Sequence, residues 1–219
     1  MKLTVFNGSP RNKKSNSAIL AEQFLKGFAN ISTENVPVYH LASIAKMDEH
    51  VKAFSDAETV IIIFPLYTDC MPGIVKEFFE KIALLKNSSA KRVGFIVQSG
   101  FPESIHSTFV EKYLEKFTKR ISCKYLGTVI KGGVEGIQIM PPYMTKKLFT
   151  NFCILGEEFA KTGVFSAEII NKLRKPYKLS KSKLFVYSIG KKLGLTEFYW
   201  NSNLKKNNAF EQRFAQPYN

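Results

Sequence analysis

The stretch Leu3–Leu20, reading LTVFNGSPRNKKSNSAIL, constrains this chain more than any other. Leu3, Val5 and Phe6 make a short uncharged apolar run, the pattern of a buried strand in a parallel sheet. Asn7–Ser15 then supplies a turn, small hydroxyls, Pro10 and the cations Arg11, Lys13 and Lys14. From Asn16 an apolar stripe begins at helical spacing, Leu20, Phe24 and Phe28, flanked by Ala21 and Leu25. The order is therefore strand, polar loop, helix. A helix start gathers unpaired backbone N–H groups and the positive end of the helix dipole, so this junction suits an anion. Ser9, Ser15 and Ser17 add hydroxyls, Asn16 an amide, and Arg11 a planar charged fork that matches phosphate.

A triphosphate loop of the form G-x-x-x-x-G-K-[ST] does not fit, because Lys13 stands where the second glycine is needed. The dinucleotide pattern G-x-G-x-x-G is also absent. What is left is a hydroxyl-lined loop sized for one terminal phosphate, or else an ordinary capped helix start. GSPRxxxSNS after a first strand resembles the flavodoxin-like NAD(P)H-dependent FMN reductases, the NADPH-dependent oxidoreductase family. The resemblance implies that Ser9, Arg11, Ser15, Asn16 and Ser17 hold the phosphate of FMN.

Thr59–Phe64, TVIIIF, is the most strand-like run in the chain and reads as a central parallel strand buried on both faces. Open α/β sheets bind ligands at the carboxyl ends of such strands. Here that end carries Pro65-Leu66-Tyr67-Thr68-Asp69-Cys70-Met71-Pro72. Tyr67 offers an aromatic surface, and the backbone N–H groups of Leu66 and Tyr67 are expected to face a flavin's pyrimidine edge. The run is similar to the P-x-Y-x-x-x-x-P loop of the same family, which implies flavin contacts at Pro65, Leu66, Tyr67 and Thr68. A plain turn with an exposed tyrosine is the alternative. Arg92–Gln98 is the next strand, and Ser99-Gly100-Phe101 follows it. Gly100 permits close approach of backbone to a ligand. The resemblance makes Ser99, Gly100 and Phe101 the third contact, against a glycine needed only for the turn. Residues 132–141 match the family's GGxEGIxxMP and read only as a shaped turn.

The remaining elements follow from periodicity. Glu34–Tyr39 is an edge strand, demoted by Pro37. Met47–Ala57 is a short helix with Val51 and Phe54 inward. A helix opening at Gly73 buries Ile74, Phe78 and Ile82. Another, Ser104–Ile121, buries Val110, Leu114, Phe117 and Ile121. Tyr125–Ile130 is the fifth strand. Met144–Thr162 is a helix with Leu148, Phe152, Leu155 and Phe159 on one face, stopped by Gly163. Five strands alternating with helices predict an α/β fold with a doubly wound parallel sheet, flavodoxin-like, in the order 2-1-3-4-5.

The resemblance spans residues 1–165, the expected flavodoxin-like FMN-binding domain. Residues 166–219 form an expected C-terminal extension. The net charge of +14 is uneven: from Asn171 onward eleven Lys or Arg face only Glu197 and Glu211. The extension also carries Phe198, Tyr199, Trp200, Phe210, Phe214 and Tyr218, too many aromatics for a disordered tail. It is expected to fold as short helices on its own domain or across a homodimer contact. Cys70, Cys123 and Cys153 are far apart, which fits a reducing cytoplasm rather than a disulfide framework or metal site. No apolar run approaches the length of a membrane span. The three histidines read as scattered surface residues, and no catalytic side-chain constellation is needed. The resemblance implies an enzyme that uses FMN, with NADPH or NADH as electron donor and a small-molecule acceptor such as a quinone, a nitro or azo compound, or free flavin. An electron carrier of the flavodoxin type is the nearest rival. A basic nucleic-acid binder is a remote one, lacking the motifs of such modules.

Overall fold

The apolar runs become five parallel strands: β1 (Leu3–Asn7), β2 (Val38–His40), β3 (Thr59–Pro65), β4 (Arg92–Gln98) and β5 (Lys124–Lys131). A computed structural model of the chain describes residues 2–85, 91–192 and 197–216. The sheet order is β2-β1-β3-β4-β5, as the sequence predicts. All four pairings are parallel, so every strand ends at one edge. Pro65 pairs with Gln98, and Gln98 with Lys131, which sets the loops after β3, β4 and β5 side by side.

The inner strands β1, β3 and β4 are buried on both faces because the chain between the strands is helical on both sides. Val60, Ile62 and Phe64 of β3 pack toward α2 (Met47–Asp56), α3 (Gly73–Ile82) and α4 (Thr108–Arg120). Ile61 and Ile63 point the other way, toward α1 (Asn16–Ala29), α5 (Pro142–Thr162) and α6 (Ala167–Arg174). That alternation is the period of two of an extended chain, and it explains why TVIIIF shows no polar face.

α1 and α5 lie together at backbone contact. A Cβ on Gly27 would stand 1.8 Å from the carbonyl oxygen of Cys153, and one on Gly156 would stand 1.9 Å from that of Phe24. Two glycines are thus what lets α1 seat against α5, with Phe24 against Phe159 in an edge contact. The seat fixes where the first turn of α1 points.

Boundaries moved in understandable ways. β2 shrinks to three residues at the sheet edge, and the Pro37 carbonyl still accepts from the Val5 N–H. In α3 the buried line runs through Val75, Phe78, Phe79 and Ile82, leaving Ile74 only partly covered. The helix expected from Ser104 begins as a tight turn, Ser104–Ser107, before α4. Pro141 and Pro142 open α5 two residues earlier than expected, as a proline at the first helical position can. Gly163 ends it at φ 70°.

The chain divides into two compact units, Met1–Lys178 and Leu179–Asn219. α6 belongs to the first: Ile169 and Leu173 join the core around Phe159 and Phe165. The second holds α7 (Lys181–Lys192) and α8 (Phe198–Lys206). Within it Phe210 lies under Lys205 and Arg213, at 4.9 and 4.0 Å. Residues 193–196 of the apolar-basic run and Tyr218 fall outside the described residues. No described helix is long and apolar enough to cross a membrane.

Candidate functional site

The loop after β1 is built around Asn7. Its side chain amide lies 3.1 Å from the Asn12 carbonyl, 3.2 Å from the Ser15 hydroxyl and 3.2 Å from His40 Nδ1, while its oxygen accepts from the Ser9 N–H. Because the amide nitrogen donates, His40 Nδ1 accepts, and the imidazole keeps its proton on Nε2. Burial, and next Lys13, holds the His40 pKa below its ordinary value, consistent with a neutral ring. Ser15 caps α1 by accepting from the Ala18 N–H and donates to the Asn12 carbonyl. Ser17 accepts from the Gln98 amide. Asn16 donates to the Val134 and Glu135 carbonyls and accepts from Gln138.

These partners account for Asn7, Ser9, Ser15, Asn16 and Ser17 all being buried. The sequence offered them as ligand contacts; their side chains chiefly brace the loop. The backbone N–H groups of Asn16 and Ser17, in the first turn of α1, have no acceptor among the described residues. They are the free donors at the dipole's positive end. Arg11 stands outside the loop with Glu135 at 3.9 Å, both side chains about half exposed. Such a pair is worth roughly 0–1 kcal/mol and yields easily to a better anion.

The loop after β3 is a tight turn. Tyr67 and Cys70 exchange backbone hydrogen bonds at 2.8 and 3.0 Å, with Thr68 at φ 48° and Asp69 at φ 59°. Two positive φ values at the centre are the mark of a type I′ turn. The Tyr67 N–H is therefore engaged, and the Leu66 N–H donates to the Gln98 carbonyl at 2.7 Å. The expectation that these two groups face a ligand is corrected: neighbouring strands and the turn itself consume them. Tyr67 keeps its ring outside, 45% exposed.

After β4, Ser99 donates from its backbone to Lys131 and from its hydroxyl to Phe101. The Phe101 ring lies 4.6 Å from that of His106. His106 stands 3.7 Å from both Asp69 and Glu103, so it connects the second and third loops. Of the other histidines, His50 is 3% exposed and its Nδ1 has no partner, while His40 is half-buried in the first loop. Reading all three as surface residues is corrected on these contacts. The segment 132–136 also does more than turn. A Cβ on Gly132 would stand 2.3 Å from the Phe101 carbonyl oxygen, and the Val134 N–H donates to Ser99. Through Asn16 this segment locks the first loop to the third.

Ser9, Arg11, Asn16, Pro65, Leu66, Tyr67, Ser99 and Gly100 all line one cleft of about 90 Å³. Gln98 and Glu135 line it too; sequence reasoning assigned neither to the site, since Gln98 carries no motif and the matched stretch that holds Glu135 read only as a shaped turn. Ser15, Ser17, Thr68 and Phe101, also expected at the site, do not line it. The cleft admits a phosphate-sized group, with an aromatic face and Gly100 beside it.

A family model described as a flavodoxin-like fold matches residues 1–147. Among solved structures, an FMN-dependent NADH-azoreductase from Bacillus anthracis in complex with FMN superposes with TM-score 0.55 at 16% identity, covering 74% of this chain and 98% of that one. An NAD(P)H:quinone oxidoreductase from Methanothermobacter marburgensis gives 0.57 at 13%, covering 72% and 96%. An NADPH-quinone reductase from P. pentosaceus gives 0.54 at 16%, covering 70% and 96%. No curated protein matches the sequence.

Proposed function

The chain belongs to the flavodoxin-like fold family, and from that premise we propose that it is an FMN-dependent oxidoreductase drawing electrons from NADH or NADPH. The observation that carries this reading is the pair of unsatisfied backbone N–H groups of Asn16 and Ser17 at the first turn of α1, at a cleft that Asn16, Arg11, Tyr67 and Gly100 line. Bound FMN would supply the redox chemistry, accepting a hydride from the nicotinamide and passing electrons to a small acceptor such as a quinone, an azo or nitro compound, or free flavin. The chain's own residues fit that group. Asn16 and Ser17 would bind the phosphate through their backbone, and Arg11 would leave Glu135 to neutralise it. Tyr67 would pack on the ring from the loop after β3. A Cβ on Gly100 would stand 3.3 Å from the Glu135 Cβ, so the glycine keeps the third loop from crowding the cleft and leaves room for a flat ring. Ser9, Ser15 and Ser17 hold these donors in place rather than spending their own hydroxyls. That the fold is shared with an FMN-dependent NADH-azoreductase and with NAD(P)H-dependent quinone reductases supports this chemistry.

A homodimer in a cytoplasmic setting is part of the proposal. Phe109 and Tyr113 stand exposed one turn apart on α4, an apolar strip of the kind a second copy covers. The test is a visible spectrum of the purified chain with added FMN, followed by anaerobic mixing with NADH and NADPH. A bound flavin that bleaches with either donor is expected. A flavin that binds but is not reduced makes the chain an electron carrier, and no flavin binding removes the reading altogether.

A further inference from the structure

On the far side of the segment 132–140 lies a second groove, of about 440 Å³, between the end of β5, α5 and α6. Its charged lining is of one sign. Lys131, Lys147, Lys172 and Lys175 reach it, no Asp or Glu does, and none of the four has a carboxylate partner among the described residues. Four like charges around one groove repel one another, and a low-dielectric wall focuses their field outward onto any anion that enters. Lys131 is the most telling of them. It ends β5, the strand at the sheet edge beside α6, is half-buried, and burial alone depresses its pKa, with no neighbouring charge to offset it.

A second observation points to a ligand independently. Asn151, on the α5 face that lines the groove, is only 7% exposed, and its side chain makes no hydrogen bond among the described residues. Its amide is not among the fully buried unpartnered polar atoms, so what little of Asn151 remains exposed leaves a donor open at the wall of a cationic groove, where an anion can accept from it. The rest of the wall is mostly apolar, with Ile137, Met140, Met144, Leu148 and Leu173. A groove of this size is in the range of small-molecule sites.

We propose that this groove is a second anion site, distinct from the loop after β1, and that it takes a nucleoside diphosphate. The diphosphate lies among Lys131, Lys172, Lys175 and Asn151, and the base lies on Met140 and Leu148. The ligand is either a free nucleotide or the adenosine diphosphate part of a dinucleotide. The assignment does not depend on the flavin reading, because no residue lining the groove lines the cleft.

The experiment is isothermal titration of the full chain, pre-saturated with FMN so that the first loop is not available to the titrant. ADP, inorganic pyrophosphate and oxidised nicotinamide dinucleotide are titrated separately. ADP is expected to bind at one site and to weaken as salt rises. Pyrophosphate is expected to bind more weakly, for want of the apolar contact. Lys131→Met and Lys172→Met should each weaken ADP about tenfold, the scale of a lost charge-assisted contact. Lys172 is exposed, so its variant tests the site even if the Lys131 variant folds poorly. Lys116→Met, on α4, should bind ADP like the parent. Dinucleotide binding that exceeds ADP, with the same dependence on Lys172, assigns the site to a dinucleotide; the reverse order assigns it to a free nucleotide. No binding at millimolar concentration, pyrophosphate as tight as ADP, or groove variants indistinguishable from Lys116→Met would each overturn the proposal.

Discussion

In the loop after β1, Asn7, Ser9, Ser15, Asn16 and Ser17 are buried and tied to partners as distant as Val134, whereas the loop after β3 holds its shape with two backbone bonds of its own and leaves Tyr67, Thr68, Asp69 and Cys70 exposed. The two loops share one cleft. The first is over-determined: several hydrogen bonds agree on one geometry, and the free N–H groups are aimed by elements that cannot move separately. The second carries strain. Asn12 in the first loop and Thr68 in the second both take left-handed φ values, 55° and 48°. Asparagine tolerates that conformation, but a β-branched residue does not. The contrast separates an anchor, which fixes where an anion sits, from an adaptable surface, which can tune what lies beside it.

The sharpest way to break the contrast is to remove the hub of the anchor. Asn7→Ala leaves the Asn12 carbonyl, Ser15 and His40 without their shared donor, and a buried polar group left unsatisfied costs about 1–3 kcal/mol. Chemical denaturation should show that loss, and FMN affinity should fall with it. The same substitution style at Tyr67 should leave stability nearly unchanged and alter the flavin spectrum instead.

Arg11→Ala should spare the fold, because Arg11 is exposed and its pair with Glu135 is loose. It should weaken FMN by about 1.5–3 kcal/mol, the worth of a hydrogen bond to a charged group. Riboflavin, which has no phosphate, should bind the variant and the parent alike; equal losses for both would remove Arg11 from the phosphate site.

Acid should loosen the anchor before the turn. The folded pKa of His40 is lowered from 6.5, first by burial and then by Lys13. The folded state therefore favours the neutral ring, and the stability it contributes is complete above pH 6.5 and lost as pH falls through the lowered value. Protonation also removes the acceptor that Asn7 uses. Melting temperature and FMN affinity should drop together below pH 6.5, and His40→Gln, which keeps an acceptor without titrating, should flatten the drop. His50, also lowered chiefly by burial, adds to the stability slope but not to that of FMN binding.

The smallest effect belongs to the adaptable loop. Thr68→Gly relieves the left-handed strain while loosening the unfolded chain, for a net gain of about 0.5–1 kcal/mol. A rise of a few degrees in melting temperature is the expected reading. A loss of stability would mean that the Thr68 side chain, and not the turn geometry, holds this loop.

What the sequence determined by itself is local and periodic. The unbroken apolar run TVIIIF, the helical stripe of Leu20, Phe24 and Phe28, and the polar break between Phe6 and Asn16 were enough to place these strands, the first helix and the loop that lines the cleft, and the flavodoxin-like pattern of alternating strands and helices carried the sheet order. Those signals survive because each is written within one or two turns of chain, where hydrophobic period and capping chemistry act. The tertiary structure decided which groups remain free. Leu66 and Tyr67 read as open donors in isolation, but a strand neighbour and a turn partner claim their N–H groups. Gln98 and Glu135 reach the cleft only because three strands end in register and Gly132 packs on the loop after β4. Lys131 and Asn151 meet in a groove only once α5 is laid across the sheet, seated by Gly27 against Cys153 and by Gly156 against Phe24. Residues so far apart in the chain share no period, and whether a buried polar group is satisfied depends on all of its neighbours at once.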